Sequence, residues 1–277
     1  MERSILYLLY MKKRNALYTV FGLMLLIGCS KDSDITSSNS SSTIDKSGNR
    51  LTTGASASDL LANANFDKLL IEIGYVSGNQ PTTEAITNFE NFLRARTYKE
   101  NIEFKYTPLT SPDEETLTLD EVVDLENKNR TEYNDGSTLA IYIYFADAPS
   151  DSDNPDEGTV TLGAVYRNTS MIAYEATIRD LANASSAVTV ADVETATLFH
   201  EFGHLFGLVN LSTQSVNDHE DPDASNHCNV AGCLMRAELE FGTSLLKTMQ
   251  NRASKGLASI PEFDSECLLD LQKYGGR

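Results

Sequence analysis

The sequence predicts an α+β fold whose N-terminal part is α/β-like: a mixed, twisted sheet with helices packed on it, leading into a capped helix that carries two histidines. Three observations carry this. Strand and helix periodicities alternate from Lys68 to Ala148, as in a sheet built through helical crossovers. The run TLAIYIYFADA, Thr138 to Ala148, is apolar through its middle, as a strand covered on both faces must be. The segment FHEFGHLFG, Phe199 to Gly207, sets two histidines and a glutamate on a helix with a cap before it and a glycine after it.

Taken in order, KLLIEIGYV (Lys68 to Val76) is the first strand. TTEAITNFENFLRARTY (Thr82 to Tyr98) brings Ile86, Phe89, Phe92 and Leu93 to one helical face. NIEFKYTPL (Asn101 to Leu109) alternates as a strand does, and TLDEVVDLENKNR (Thr118 to Arg130) opens on a threonine cap and reads as a second helix. After the acidic loop PSDSDNPDEGT, Val160 to Ala176 reads as two short strands or an edge strand, turning at Arg167-Asn168. The helix from Val190 to Phe206 has Thr189 as its cap, Asp192 as the acid of a capping box and Gly207 at its end. Arg236 to Leu257 and Pro261 to Gly276 read as two last helices, the second stopped by Gly275.

A hydrophobic fraction of 41%, with 12 Tyr and 11 Phe, is enough for a real core over 277 residues. The net charge of −18 repels phosphate backbones, which argues against nucleic acid as a partner and against docking on an anionic lipid surface; the expectation is a monomer. Lys12, Lys13 and Arg14 precede an apolar run, Ala16 to Gly28, that is too short to span a bilayer comfortably. It ends in LIGC, Leu26 to Cys29, which resembles the bacterial lipobox, with Cys29 as the lipidated residue. Residues 1–28 then form a lipoprotein signal peptide, 29–58 a Ser/Thr/Asn-rich tether, and 59–277 the folded domain. The expected location is the cell envelope, lipid-anchored and extracytoplasmic, either periplasmic or at the cell surface.

Histidines at i and i+4 lie on one face of a helix, so His200 and His204 can offer nitrogens to one ion, which the donor types suggest is Zn²⁺. Glu201 lies beside them, placed to take a proton from a metal-activated water as the catalytic base. HEFGHLFGL resembles the metal-binding helix of metzincin peptidases of the matrixin type, and HCNVAGCLM (His227 to Met235) resembles the H-C-x4-C-x-M signature of archaemetzincins. The lipobox, this helix and the cysteine-flanked tail together also resemble lipoprotein zinc peptidases of Bacteroidetes. In such families the two halves are contiguous; here Val209 to Asn226 separates them, and Asn210 stands where a metzincin places its third histidine. The resemblance implies a metzincin-like fold with a Met-turn, for which Met235 lies eight residues after His227. It implies one catalytic Zn²⁺ held by three histidines and a peptide or protein substrate, bound by β-augmentation along an edge strand within Thr161 to Tyr174.

The third ligand stays open between His227, which has the Met-turn spacing, and His219, whose acidic neighbours could orient an imidazole; Asp221 is a further alternative. In archaemetzincins the matching cysteines help bind a structural zinc together with a downstream C-x-x-C. This chain has only Cys267 downstream, so a Cys228–Cys233 disulfide is expected in its place, with Cys267 in the core or bonded to one of them. Two rivals remain: a gluzincin-type peptidase using Glu238 or Glu240, and a catalytically inactive lipoprotein that binds peptides or a partner protein, which Asn210 would favour.

Overall fold

A computed structural model describes residues 44–154, 159–237 and 242–277. The expected signal peptide and Cys29 lie outside the described residues, as do Glu238 and Glu240. Among the described residues, no helix is long and apolar enough to cross a membrane.

Five strands form one mixed sheet in the order β2-β1-β3-β5-β4: β1 (Lys68–Val76), β2 (Asn101–Leu109), β3 (Thr138–Phe145), β4 (Gly163–Arg167) and β5 (Ser170–Ala173). Neighbours run parallel except β4, which pairs antiparallel with β5 and leaves its outer edge open. The chain steps from β1 to β2 through α2 (Thr83–Arg96), then crosses back over β1 to β3 through α3 (Leu119–Asn129). Because right-handed crossovers running in opposite directions place their helices on opposite faces, α2 and α3 cover different sides of the sheet. Alternate residues record this. Ile71, Ile73, Ile141 and Ile143 join Phe89 of α2 in the main core, while Tyr142 and Tyr144 join Val122 of α3 in a smaller one.

The segment expected as the end of a tether is instead part of the domain. Asn49 is fully buried; its amide donates to Asn134 Oδ1 (2.8 Å) and to the Ala140 carbonyl (2.9 Å). Leu51 exchanges hydrogen bonds with Asn168 at the β4–β5 turn, and a short helix α1 (Ala57–Leu61) buries Leu60 and Leu61. Polar composition suggested a solvated linker, but each buried amide here has partners, and burial then costs little.

Behind the turn, α4 (Glu175–Asn183) packs on α5 (Val190–Leu205) and buries two carboxyls together, Glu175 and Glu194. Glu194 accepts from the Thr82 amide with both oxygens at 3.0 Å, holding the N-cap of α2. Glu175 is pushed up to about 9 by burial and then by the charge of Glu194; Arg179, 2.6 Å away and a third exposed, offsets only part. A carboxyl raised in the folded state favours folding fully below its ordinary pKa near 4.5, and this contribution is lost as pH rises through about 9. Glu175→Gln is therefore expected to flatten the decline in melting temperature across that window. Parallel slopes for variant and wild type would refute the raised Glu175 carboxyl.

Candidate metal centre

Helix α5 is buried on nearly every face, so its direction is fixed by packing as well as by its caps. Thr189 Oγ1 accepts from the Asp192 amide and Asp192 returns the bond to the Thr189 amide, closing the expected capping box. Gly207, at φ 74°, ends the helix; a Cβ there would lie 2.3 Å from the Ser212 Cβ, so only glycine fits. The chain then keeps left-handed backbone at Val209 (φ 52°) and Asn210 (φ 64°), an uncommon state for a β-branched residue, as it leaves the helix axis.

Three imidazoles converge at the C-terminal end of α5. One nitrogen each from His200, His204 and His227 lies within 4.8 Å of the other two, and all three residues are buried. His227 arrives on a hairpin, β6 (Glu220–Asp221) and β7 (Ala224–Cys228), built from the inserted segment. His200 Nδ1 lies 2.8 Å from the Leu234 carbonyl and His227 Nδ1 3.0 Å from the Ser225 carbonyl. A carbonyl only accepts, so each Nδ1 carries the proton and each Nε2 keeps its lone pair. Burial pushes His200 down to about 4 and His204 well below its ordinary value, so both stay neutral near pH 7.

These residues fit a zinc ion. The Nε2 atoms of His200 and His204 are 3.2 Å apart, and a tetrahedron with Zn–N of about 2.0–2.1 Å has an edge of about 3.4 Å. A zinc ion between these nitrogens would take the place of the proton that otherwise lets His204 Nε2 donate to the His200 Nε2 lone pair.

Glu201, 3% exposed, stands next to this triangle and against the sheet. A Cβ placed on Gly163 of β4 would lie 2.9 Å from Glu201 Cγ and 3.0 Å from its Oε1, so the edge strand passes directly beside the carboxylate. A cleft of about 320 Å³ runs there, lined by Thr53, Ala164, Val165, Glu201, His204 and His227. Met235 lies beneath: a Cβ on Gly203 would meet its Sδ at 2.1 Å.

The other expected residues lie elsewhere. His219 does not join the triangle; its Nε2 is 3.0 Å from Asp270 Oδ2 and its Nδ1 3.3 Å from Cys228 Sγ. Asp221 faces Arg236 at 3.9 Å. Asn210 organises the insertion, donating to Glu220 Oε2 (2.6 Å) and accepting from the Ser215 amide (2.7 Å), while Glu220 Oε1 accepts from Asn226. The expected Cys228–Cys233 disulfide is corrected: Cys228, Cys233 and Cys267 are all unbonded and buried. Each thiol of the pair is turned toward α7 (Ser265–Lys273), the helix that follows α6 (Gly242–Ser254); the Asp264 cap of α7 lies 3.8 Å from Cys228 Sγ and 3.3 Å from Cys233 Sγ. Gly163, Thr53 and Asp270 were not singled out from the sequence. Only the glycine's position on a short strand carried any local signal.

A mostly parallel sheet with a buried three-histidine centre beside an open edge strand defines a candidate metalloprotein of the α+β class. No protein-family model matches the chain, and no curated protein matches it. Among solved structures it is similar to archaemetzincin from Methanopyrus kandleri, with a TM-score of 0.48 and 14% identity over 75% of this chain and 96% of that one. It is also similar to metalloproteinase-II from Bacteroides fragilis, with a TM-score of 0.42 and 12% identity over 77% of this chain and 55% of that one.

Proposed function

We propose that this chain is a zinc-dependent endopeptidase of metzincin-like construction, anchored to the cell envelope through a lipid on Cys29. The observation that supports it most is the placement of Glu201 between three converging histidines and the open edge of β4. An extended peptide added to the outer edge of β4 is hydrogen-bonded through main-chain groups, with its backbone passing Glu201. A zinc ion bound by His200, His204 and His227 would supply Lewis acidity, making a water more acidic and polarising a carbonyl. The Glu201 carboxylate would take a proton from the attacking water and pass it to the leaving amine. His200 and His227 are held in one tautomer by the carbonyls of Leu234 and Ser225, so their Nε2 atoms need no rearrangement to bind. With Asn210 engaged inside the insertion, the feature that favoured an inactive peptide binder has a structural role instead.

Removal of zinc by a strong chelator is expected to abolish hydrolysis of an unstructured protein substrate, and added Zn²⁺ to restore it. His227→Ala is expected to lose activity together with the ion held by the three histidines. An active, chelator-resistant protein would sink the reading.

Anchoring has its own test. Cys29→Ser is expected to move the chain from the detergent phase to the aqueous phase on phase separation and to abolish metabolic labelling with a fatty acid. Continued labelling would exclude Cys29 as the anchor.

A further inference from the structure

Residues 50–55 cross one end of the cleft beside Glu201. Thr53 lines that cleft with Ala164 and Val165 of β4 and with Leu119 and Leu211, so its surroundings are apolar. On one side the segment is fastened to the turn that follows β4. The Leu51 amide donates to Asn168 Oδ1 at 2.9 Å, and the Asn168 amide returns a bond to the Leu51 carbonyl at 3.1 Å. On the other side Gly54, at φ 79°, presses on Leu211; a Cβ there would lie 3.3 Å from the Leu211 carbonyl oxygen. Ala57 then packs on the end of α5, its Cβ 2.9 Å from the place a Gly207 Cβ would take. The segment therefore spans from the open edge of the sheet to the chain leaving α5.

It is held in place from both ends. Asn168 is fully buried, and its side-chain amide donates to the Gly48 carbonyl at 2.8 Å and to Ser56 Oγ at 2.7 Å. Between these points the Ala55 amide bonds back to the Thr52 carbonyl and the Ala57 amide to the Gly54 carbonyl, folding the segment into a compact arch. Moving the arch aside would strand the buried Asn168 side chain without partners, so it acts as a wall and not as a lid. The edge strand sets the distance to it. From Gly163, beside Glu201, to Arg167, the last residue before Asn168, β4 offers about 13 Å of edge, the length of about four extended residues.

We propose that residues 50–55 form the end wall of the substrate cleft and gauge its length. About four residues of extended peptide fit between the scissile bond and Thr53, with an apolar side chain in the last place. A longer peptide has to leave the edge of β4 and turn out to solvent. Bonds close to one end of a peptide, or internal bonds where the peptide bends away, are therefore cut in preference to bonds within a long extended stretch. This deepens the peptidase reading and rests on it for turnover, whereas the wall itself can be read from binding alone.

The test uses the zinc-loaded full chain and nested peptides built on an Ala/Leu core that carries one Trp. Mass spectrometry locates the bond that is cut, and the core is lengthened with Gly and Ser at one terminus or the other. On the side facing the wall, extension past about four residues is expected to lower kcat/KM at least about 10-fold, and extension on the opposite side to change it less than about 2-fold. Thr53→Phe, at a half-buried position, should move the break toward shorter peptides by about one residue. Asn168→Ala, which unties the arch, should weaken the length dependence; should it fail to fold, Thr53→Phe decides. The protein contains no Trp, so binding of the same peptides to zinc-loaded Glu201→Gln is followed by their own fluorescence, and the same extension should raise Kd by a similar factor. Equal effects at both termini, no length dependence in cleavage or binding, or a break that Thr53→Phe leaves in place would overturn the proposal. Length-dependent binding to Glu201→Gln, with no peptide cut by wild type, would keep the wall and remove the proposed function.

Discussion

Glu201→Gln is expected to lower kcat/KM for peptide hydrolysis by about 10²–10⁴-fold while zinc content stays at the wild-type level. The substitution keeps the shape of a side chain that is 3% exposed and pressed on Gly163, so packing is nearly unchanged. What disappears is basicity. An amide neither takes a proton from water nor returns it to an amine, and a loss of this size corresponds to about 3–5 kcal/mol in the barrier. The outcome is specific because Glu201 is adjacent to His200 in sequence yet is not one of the three converging donors. A variant that loses zinc as well would make Glu201 a structural or ligating residue. One that retains full activity would remove the general-base role.

Much of the sheet was legible because its signals are local. Strands β1 and β2 carry alternating or continuous apolar patterns and end where predicted, and α3 and α5 open on side-chain caps that three or four residues are enough to reveal. Helix α4 was missed because its cap is Tyr174, which makes no side-chain cap bond, and it follows β5 after a single residue. Residues 44–58 were misread because composition reports polarity but not partners; Asn49 is buried only because Asn134 and Ala140, far along the chain, receive its amide.

The site divides in the same way. His200, Glu201 and His204 are fixed by helical period alone. The choice between His227 and His219 depends on a hairpin that turns one toward α5 and the other toward α7, and spacing does not encode that turn. The cysteines were paired from neighbouring positions and an oxidising setting. The fold instead brings Cys233 beside Cys267, 34 positions later in the chain and 3.6 Å away between sulfurs.

Gly203→Ala is expected to destabilise the protein by about 1–3 kcal/mol and to weaken zinc binding at the three histidines by about 10–100-fold. Gly203 looks replaceable from the sequence, since alanine is the better helix former by up to about 1 kcal/mol. Packing reverses that sign. The added Cβ would lie 2.1 Å from Met235 Sδ and 3.2 Å from Phe263 Cε1, so the methionine must move. Its backbone is not free to follow: the Met235 carbonyl accepts from the Cys228 amide at 2.7 Å, and the neighbouring Leu234 carbonyl orients His200 at 2.8 Å. Displacing the turn therefore disturbs two ligands, His200 directly and His227 through Cys228. Met235→Ala in the same chain removes the colliding sulfur, so the double variant should be less destabilised than the two single losses added together, with a coupling of about 0.5–3 kcal/mol. Denaturant melts of the four proteins measure it. Strict additivity, or a Gly203→Ala protein that binds zinc as tightly as wild type, would show that the methionine is ordinary core and not the floor of the metal centre.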